Sequence, residues 1–288
     1  MKLAFLGTPE VSAGTLRALV GAGHDVVVVV TRADTRRGRG NDPSPSPVKA
    51  AAVELGLPVV HKAADVVGTG ADLGVVVAYG RIIRPEVLAA VPMVNVHFSL
   101  LPRWRGAAPV ERAILAGDAE TGACLMQLEA GLDTGPVYSR AEVLIGPEET
   151  ADELRRRLAA LGDRLLLRAL SDGFPAPRPQ VGEPSYAAKL EASDLRLDFA
   201  EPAEMSLRRV RVGRAWTTWK GRRLLVHRAR VVDAPAALEP GELHGAVVGA
   251  APPSALELVE VQPEGKPAMA GDAWARGARA QPGDRLGA

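Results

Sequence analysis

The chain has 288 residues, 47% of them hydrophobic and 24% charged, with a formal net charge of +1. That length is comfortable for two domains, and the balance is that of an ordinary globular protein rather than a disordered or strongly basic one. A single cysteine, Cys124, excludes an intrachain disulfide and a cysteine-built metal site and suits a reducing compartment. The start, M-K-L-A-F-L-G, has no signal-peptide core, and the longest apolar runs, such as Val26 to Val30, are too short to cross a bilayer. The expectation is a cytoplasmic enzyme with no membrane partner.

In chain order, Leu3 to Leu6 reads as a buried strand, Val11 to Val20 as a helix and Val26 to Val30 as a second strand. Strand, helix and strand at this spacing make a βαβ unit, so the fold class is α/β with a Rossmann-like parallel sheet. The turn after the first strand is G-T-P and not G-x-G-x-x-G, so no dinucleotide is inferred. Thr31 to Pro47 is polar, rich in Gly, Pro and Ser, and carries Arg32, Arg36, Arg37 and Arg39. It is expected to be a long flexible loop with a basic head. A helix from Val48 to Gly56 and strands at Pro58 to Val60 and Gly74 to Ala78 follow, with only a stunted, glycine-rich crossover at 63–73. Pro85 to Ala90 is a short helix.

Val94 to His97 is expected to end a central buried strand. Alternate side chains of a strand share a face, so Asn95 and His97 project together from the carboxyl edge of the sheet, where open α/β sheets bind ligands. A turn from Ser99 to Pro102 leaves that edge. A helix from Pro109 to Leu115, a strand from Ala123 to Glu129, the tight turn G-L-D-T-G carrying Asp133, and a helix from Leu154 to Leu170 complete this part. Residues 190–203 read as a linker. Beyond them, Leu224 to Val232 and Ala255 to Val261 alternate as in a small all-β domain, such as an oligonucleotide-binding type barrel. Between Arg208 and Arg230 nine arginines and lysines occur with no acidic residue, and Trp216 and Trp219 are interleaved. Basic residues around aromatics suit RNA, although the same residues also fit a solvated face over a small core.

No Ser or Cys nucleophile is flanked by a base. Asn95, His97 and Asp133 instead suit direct acyl transfer between two bound substrates. The Asn95 amide and a protonated His97 would donate to the developing oxyanion. Asp133 would orient the ring and accept the amine proton, directly or through water. Taken alone, a strand histidine and a G-L-D-T-G turn also fit a structural role.

The run N-V-H-F-S-L-L-P-R-W-R-G-A-A-P, with G-L-D-T-G in order behind it, resembles the signature of the folate-dependent formyltransferases, and R-W-R-G-A-A-P is similar to the branch acting on charged tRNA. V-V-V-A-Y-G, A-W-T-T-W-K-G and the 261–269 run extend the resemblance over nearly the whole chain. It implies transfer of formyl from the co-substrate 10-formyltetrahydrofolate to the α-amino group of methionine on initiator tRNA, by catalytic Asn95, His97 and Asp133. It implies folate held by the backbone of Ser99, Leu100, Leu101 and Pro102, no metal, and action as a monomer. Residues 1–189 would be the catalytic domain, and 204–288 a β-barrel contacting tRNA. The implied tRNA contacts are Arg39 in the loop and Arg208, Arg209, Arg211, Arg214 and Lys220 in the second domain. An amino-sugar-nucleotide formyltransferase, a formyl-folate hydrolase and a non-catalytic RNA-binding protein on a decayed scaffold are the alternatives. The chain departs from the family pattern at Asn41 and Asp42, at Phe98, at the short 63–73 crossover and at 210–214.

Overall fold

The computed structural model describes residues 1–36, 43–233, 238–281 and 283–287. They fall into two compact units, Met1–Val110 with Ala119–Ile145 and Glu153–Lys189, and Glu111–Asp118 with Gly146–Asp152 and Leu190–Ala288.

The first unit is built on a sheet that runs, edge to edge, Val137–Leu144, Glu120–Gln127, Met93–His97, Leu73–Val77, Lys2–Gly7, Asp25–Val30 and Val59–Val60. From Met93–His97 onward every neighbouring pair is parallel. Leu73–Val77 and Met93–His97 are buried at every position. This is the signature of a parallel sheet covered on both faces. Glu120–Gln127 and Val137–Leu144 are antiparallel additions, so the sheet is mixed at that edge. The second of these strands was not expected from its mostly half-buried V-Y-S-R-A-E-V-L pattern.

Helix Glu10–Gly21 and the long helix Ala151–Asp172 meet through Thr15, whose hydroxyl donates to Asp163 Oδ1 at 2.6 Å. Helix Pro47–Glu54 starts on Ser46, whose hydroxyl accepts from the Lys49 N–H at 3.0 Å, with Pro47 placed where a missing N–H does no harm. The described flanks of the expected loop pair with each other, Thr35–Arg36 against Pro43–Ser44. Arg39, Asn41 and Asp42 lie outside the described residues.

In the second unit an antiparallel sheet runs Ala215–Trp219, Arg222–Asp233, Ser254–Pro263, Val247–Gly249, Leu243–His244, and Met269–Ala270 pairs with Ser254–Pro263. Its core includes Val226, Leu256, Val261 and Trp274. The 190–203 stretch, read as a linker, is built into this unit. Leu197 and Phe199 lie in the core, and the Leu197 N–H donates to the Trp216 carbonyl at 2.8 Å. Helix Ala203–Val212 was also not expected from the sequence. Its buried Ala203, Ser206 and Val210 recur every three or four residues, a stripe hidden among arginines.

Burial raises the Asp163 carboxyl above its ordinary range, and the Thr15 hydrogen bond only partly opposes this. A carboxyl raised in the fold binds its proton more tightly there than in the unfolded chain. Its contribution is therefore fully present at acid pH and is withdrawn as pH rises through the folded value. Asp163→Asn is expected to melt above the parent at pH 7, with the difference closing below the ordinary carboxylate range. Thermal unfolding across pH checks this, and a variant that melts lower at pH 7 would contradict it.

Candidate active site

The site grows from the end of strand Met93–His97. Asn95 and His97 share one face and are 9% and 5% exposed. The opposite face is filled by the long helix, where a Cβ at Gly162 would lie 2.3 Å from Val96 Cγ1. Only glycine lets the helix backbone come so close. Phe98, the first residue after the strand, is buried. Across the antiparallel ladder Asn95 faces Met126 and His97 faces Cys124. Burial pushes the Cys124 thiol up to about 11, so this sulfur beside the histidine is not a nucleophile at neutral pH.

The turn after the strand closes on itself. The buried Ser99 hydroxyl donates to the Arg103 carbonyl at 2.6 Å. Leu101 packs with Cys124, Met126 and Val137. The side chain of Ser99 is thus a brace, and what the Ser99–Pro102 turn offers a ligand is backbone. Trp104 sits at φ +61, a conformation uncommon for a bulky residue. Its N–H donates to Ser185 Oγ at 3.0 Å, and its carbonyl lies 2.9 Å from His97 Nε2. A carbonyl can only accept, so Nε2 carries the hydrogen and Nδ1 is the nitrogen left for chemistry.

That second nitrogen faces Asp133, with Nδ1 to Oδ2 at 3.6 Å and the carboxylate side chain 11% exposed. The three expected catalytic residues are therefore gathered on one side of the strand end, within one unit. Asp133 Oδ2 also accepts the Gly106 N–H at 2.8 Å. Gly106 has φ +118, and a Cβ there would stand 2.9 Å from the Ala187 carbonyl oxygen, so the position needs glycine on two counts. Arg105–Gly106 pairs in parallel with Tyr186–Ala187. Arg105 donates through Nε and Nη2 to Gln180 Oε1 at 3.1 and 2.7 Å. Gln180 Nε2 donates in turn to the carbonyls of Asp133 and Gly135, both at 2.8 Å. Sequence reasoning missed Gln180, Ser185 and the Trp104 carbonyl, because backbone groups and side chains 45 or more positions from their partners leave no local pattern. Arg103 stacks over the Trp104 ring at 4.6 Å.

In the second unit the expected tRNA contacts divide into two sets. Arg208, Arg209 and Arg211 are on helix Ala203–Val212 and turn to protein acceptors. Arg208 donates to the Ala116 carbonyl at 3.4 Å, and Arg209 pairs with Glu201. Arg211 donates to the carbonyls of Glu149 and Gly146 at 2.9 and 2.8 Å, and burial lowers its guanidinium below the ordinary value. The helix stripe against the core, invisible in a count of charges, leaves these three half-buried against such acceptors. Arg214 and Lys220 are exposed at strand ends. Lys220 lies over the Trp219 ring at 4.7 Å, and Arg223 over Trp216 at 4.6 Å. Among the described residues no cluster of three or more His, Cys, Asp or Glu is placed to hold a metal, and no helix is long and apolar enough to cross a membrane.

Residues 1–170 match the family model described as formyl transferase, and residues 189–279 match that of the formyl transferase C-terminal domain. A methionyl-tRNA formyltransferase of Jannaschia sp. (strain CCS1) is 45% identical over 305 residues, covering 99% of this chain and 100% of the relative. One from Symbiobacterium thermophilum is 43% identical over 313 residues, covering 99% and 95%. Among solved structures, an N-formyltransferase of Helicobacter canadensis in complex with folinic acid and dTDP-3-aminofucose superposes with TM-score 0.69 at 15% identity, over 89% of this chain and 98% of that one. HypX of Aquifex aeolicus in complex with tetrahydrofolic acid does so with TM-score 0.67 at 18% identity, over 95% and 46%. At these identities the two structures speak to the fold.

Proposed function

The chain belongs to the formyl transferase family, and from that premise we propose that it moves the formyl group of 10-formyltetrahydrofolate to the α-amino group of methionine on initiator tRNA. The observation that carries this reading is likeness over the full length of relatives bearing that name, second unit included. The gathering of Asn95, His97 and Asp133 at one strand end supplies the chemistry. Residues 1–189 would carry catalysis and 204–288 the tRNA contact, with 190–203 packed alongside the latter. The protein would work as a single copy in the cytoplasm, where charged tRNA is used.

In the proposed reaction the neutral amine attacks the formyl carbon. A C–N bond forms, the carbonyl oxygen gains negative charge and the nitrogen gains positive charge. The Asn95 carboxamide donates an N–H to that oxygen. The Trp104 carbonyl holds Nε2–H, so the donor His97 can add is Nδ1–H of its protonated ring. Asp133 takes the amine proton, directly or through water, and gives it to folate N10 as collapse breaks the bond between the formyl carbon and N10. Donors fixed before the charge appears act where water is excluded, which is why they are worth more here than in solution. The backbone of Ser99, Leu100, Leu101 and Pro102 would seat the folate, and Arg39 would reach the tRNA from the loop. Of the second-unit cations, Arg214, Lys220 and Arg223 would meet phosphate. Arg208, Arg209 and Arg211 would hold the helix that carries them.

Formyl transfer from 10-formyltetrahydrofolate should be seen with charged initiator tRNA and not with charged elongator tRNA or an amino-sugar nucleotide. Asn95→Ala, His97→Ala and Asp133→Ala should each lower kcat by roughly a hundredfold or more with the fold retained. Transfer to the sugar nucleotide alone, or turnover kept in two of the three variants, would reject the reading. In a second measurement, Arg214→Gln, Lys220→Gln and Arg223→Gln combined should flatten the salt dependence of tRNA affinity, by up to about 0.9 in log–log slope for each phosphate no longer neutralised. Arg211→Gln should lower stability and leave the slope unchanged. The opposite pairing would move the RNA face to the helix.

A further inference from the structure

We propose that Gln180 is the positioning residue that sets Asp133 against His97, an assignment that rests on the catalytic reading above. Gln180 makes four hydrogen bonds, all to the two segments that meet at the histidine. Its Oε1 accepts from Nε and Nη2 of Arg105, and its Nε2 donates to the main-chain carbonyls of Asp133 and Gly135. Arg105 is the residue before Gly106, whose N–H holds Asp133 Oδ2 at 2.8 Å. The links form a closed ring: Arg105 side chain, Gln180, Asp133 backbone, Asp133 carboxylate, Gly106 N–H, and back to Arg105.

The ring matters because Asp133 comes from a turn and not from the strand that carries His97. Its backbone is left-handed at φ +49, in a turn so tight that a Cβ at Gly135 would stand 2.0 Å from the Gln127 carbonyl oxygen. The placement of that turn sets where Oδ2 lies relative to Nδ1, 3.6 Å away. Only a carboxamide fits the position between a guanidinium and two carbonyls, since one end must accept and the other donate. A glutamate would satisfy Arg105 and repel both carbonyls. A methionine of similar shape would satisfy neither.

The experiment measures kcat, KM and urea unfolding midpoints for Gln180→Glu, Gln180→Met, Asp133→Asn and the double variant Gln180→Glu/Asp133→Asn, with charged initiator tRNA and 10-formyltetrahydrofolate. Misplacement on this scale is expected to lower kcat by about ten- to a hundredfold in both Gln180 variants, with each KM within about twofold and midpoints near the parent's. In the Asp133→Asn background Gln180→Glu should bring no further loss, because the group it positions is gone. Equal fractional losses in both backgrounds, unchanged kcat, or failure of both Gln180 variants to fold would overturn the assignment and leave the catalytic reading standing. Full turnover of Asp133→Asn would instead overturn the catalytic reading, and the Gln180 assignment with it.

Discussion

A histidine ring held at one nitrogen and faced by a carboxylate at the other is the constraint around which the first unit is arranged. Nε2 meets the Trp104 carbonyl at 2.9 Å and Nδ1 faces the Asp133 carboxylate at 3.6 Å. Neither partner belongs to the strand that carries His97, so two loops must be brought to the strand end and kept there. The strand is fixed from behind by the helix that closes on Val96, and from its two sides by a parallel ladder to Leu73–Val77 and an antiparallel one to Glu120–Gln127. The loops are fixed by Ser185, which holds Trp104, and by Gln180, which joins Arg105 to the Asp133 turn. Loops carry the chemistry while regular elements set the distances. A displacement of about 1 Å can be worth a hundredfold in rate, which is why so many hydrogen bonds converge on a small volume.

The second unit shows one residue type doing two jobs. Arginines on helix Ala203–Val212 reach backbone carbonyls and a glutamate, and so tie the helix to neighbouring backbone in that unit. Cations at the ends of the Ala215–Trp219 and Arg222–Asp233 strands instead remain exposed beside tryptophan rings. Ring contact restricts where those cations point, and Lys220 also lies 3.7 Å from Asp284 Oδ2. A basic run in a sequence is therefore not yet a surface; the element on which each charge rides decides which way it faces.

How much of this could be read from residues alone follows from the range of each interaction. The parallel strands were legible because β-branched runs are local. The shared face of Asn95 and His97 was legible because strand alternation is local too. Asp133 was found through its turn wording and its order behind the strand motif. Helix Ala203–Val212 had a legible stripe at Ala203, Ser206 and Val210, but a small residue, a serine and one valine are a faint signal against adjacent arginines. Gln180, Ser185 and the carbonyl of Trp104 had none. Their partners are decided by the path of the chain after three prolines, and a carbonyl belongs to every residue type. The mixed edge of the sheet was missed for a related reason: Val137–Leu144 is only half-buried, so its alternation is blurred.

The central claim, that the Trp104 carbonyl fixes a proton on Nε2 of His97 and leaves Nδ1 facing Asp133, is most directly tested by nitrogen-15 NMR of the histidine ring in the intact protein. The geometry predicts a slowly exchanging proton on Nε2, and a Nδ1 resonance that moves in Asp133→Asn while Nε2 stays nearly fixed. A proton found on Nδ1 with Nε2 bare, or a ring indifferent to the loss of the Asp133 charge, would contradict it.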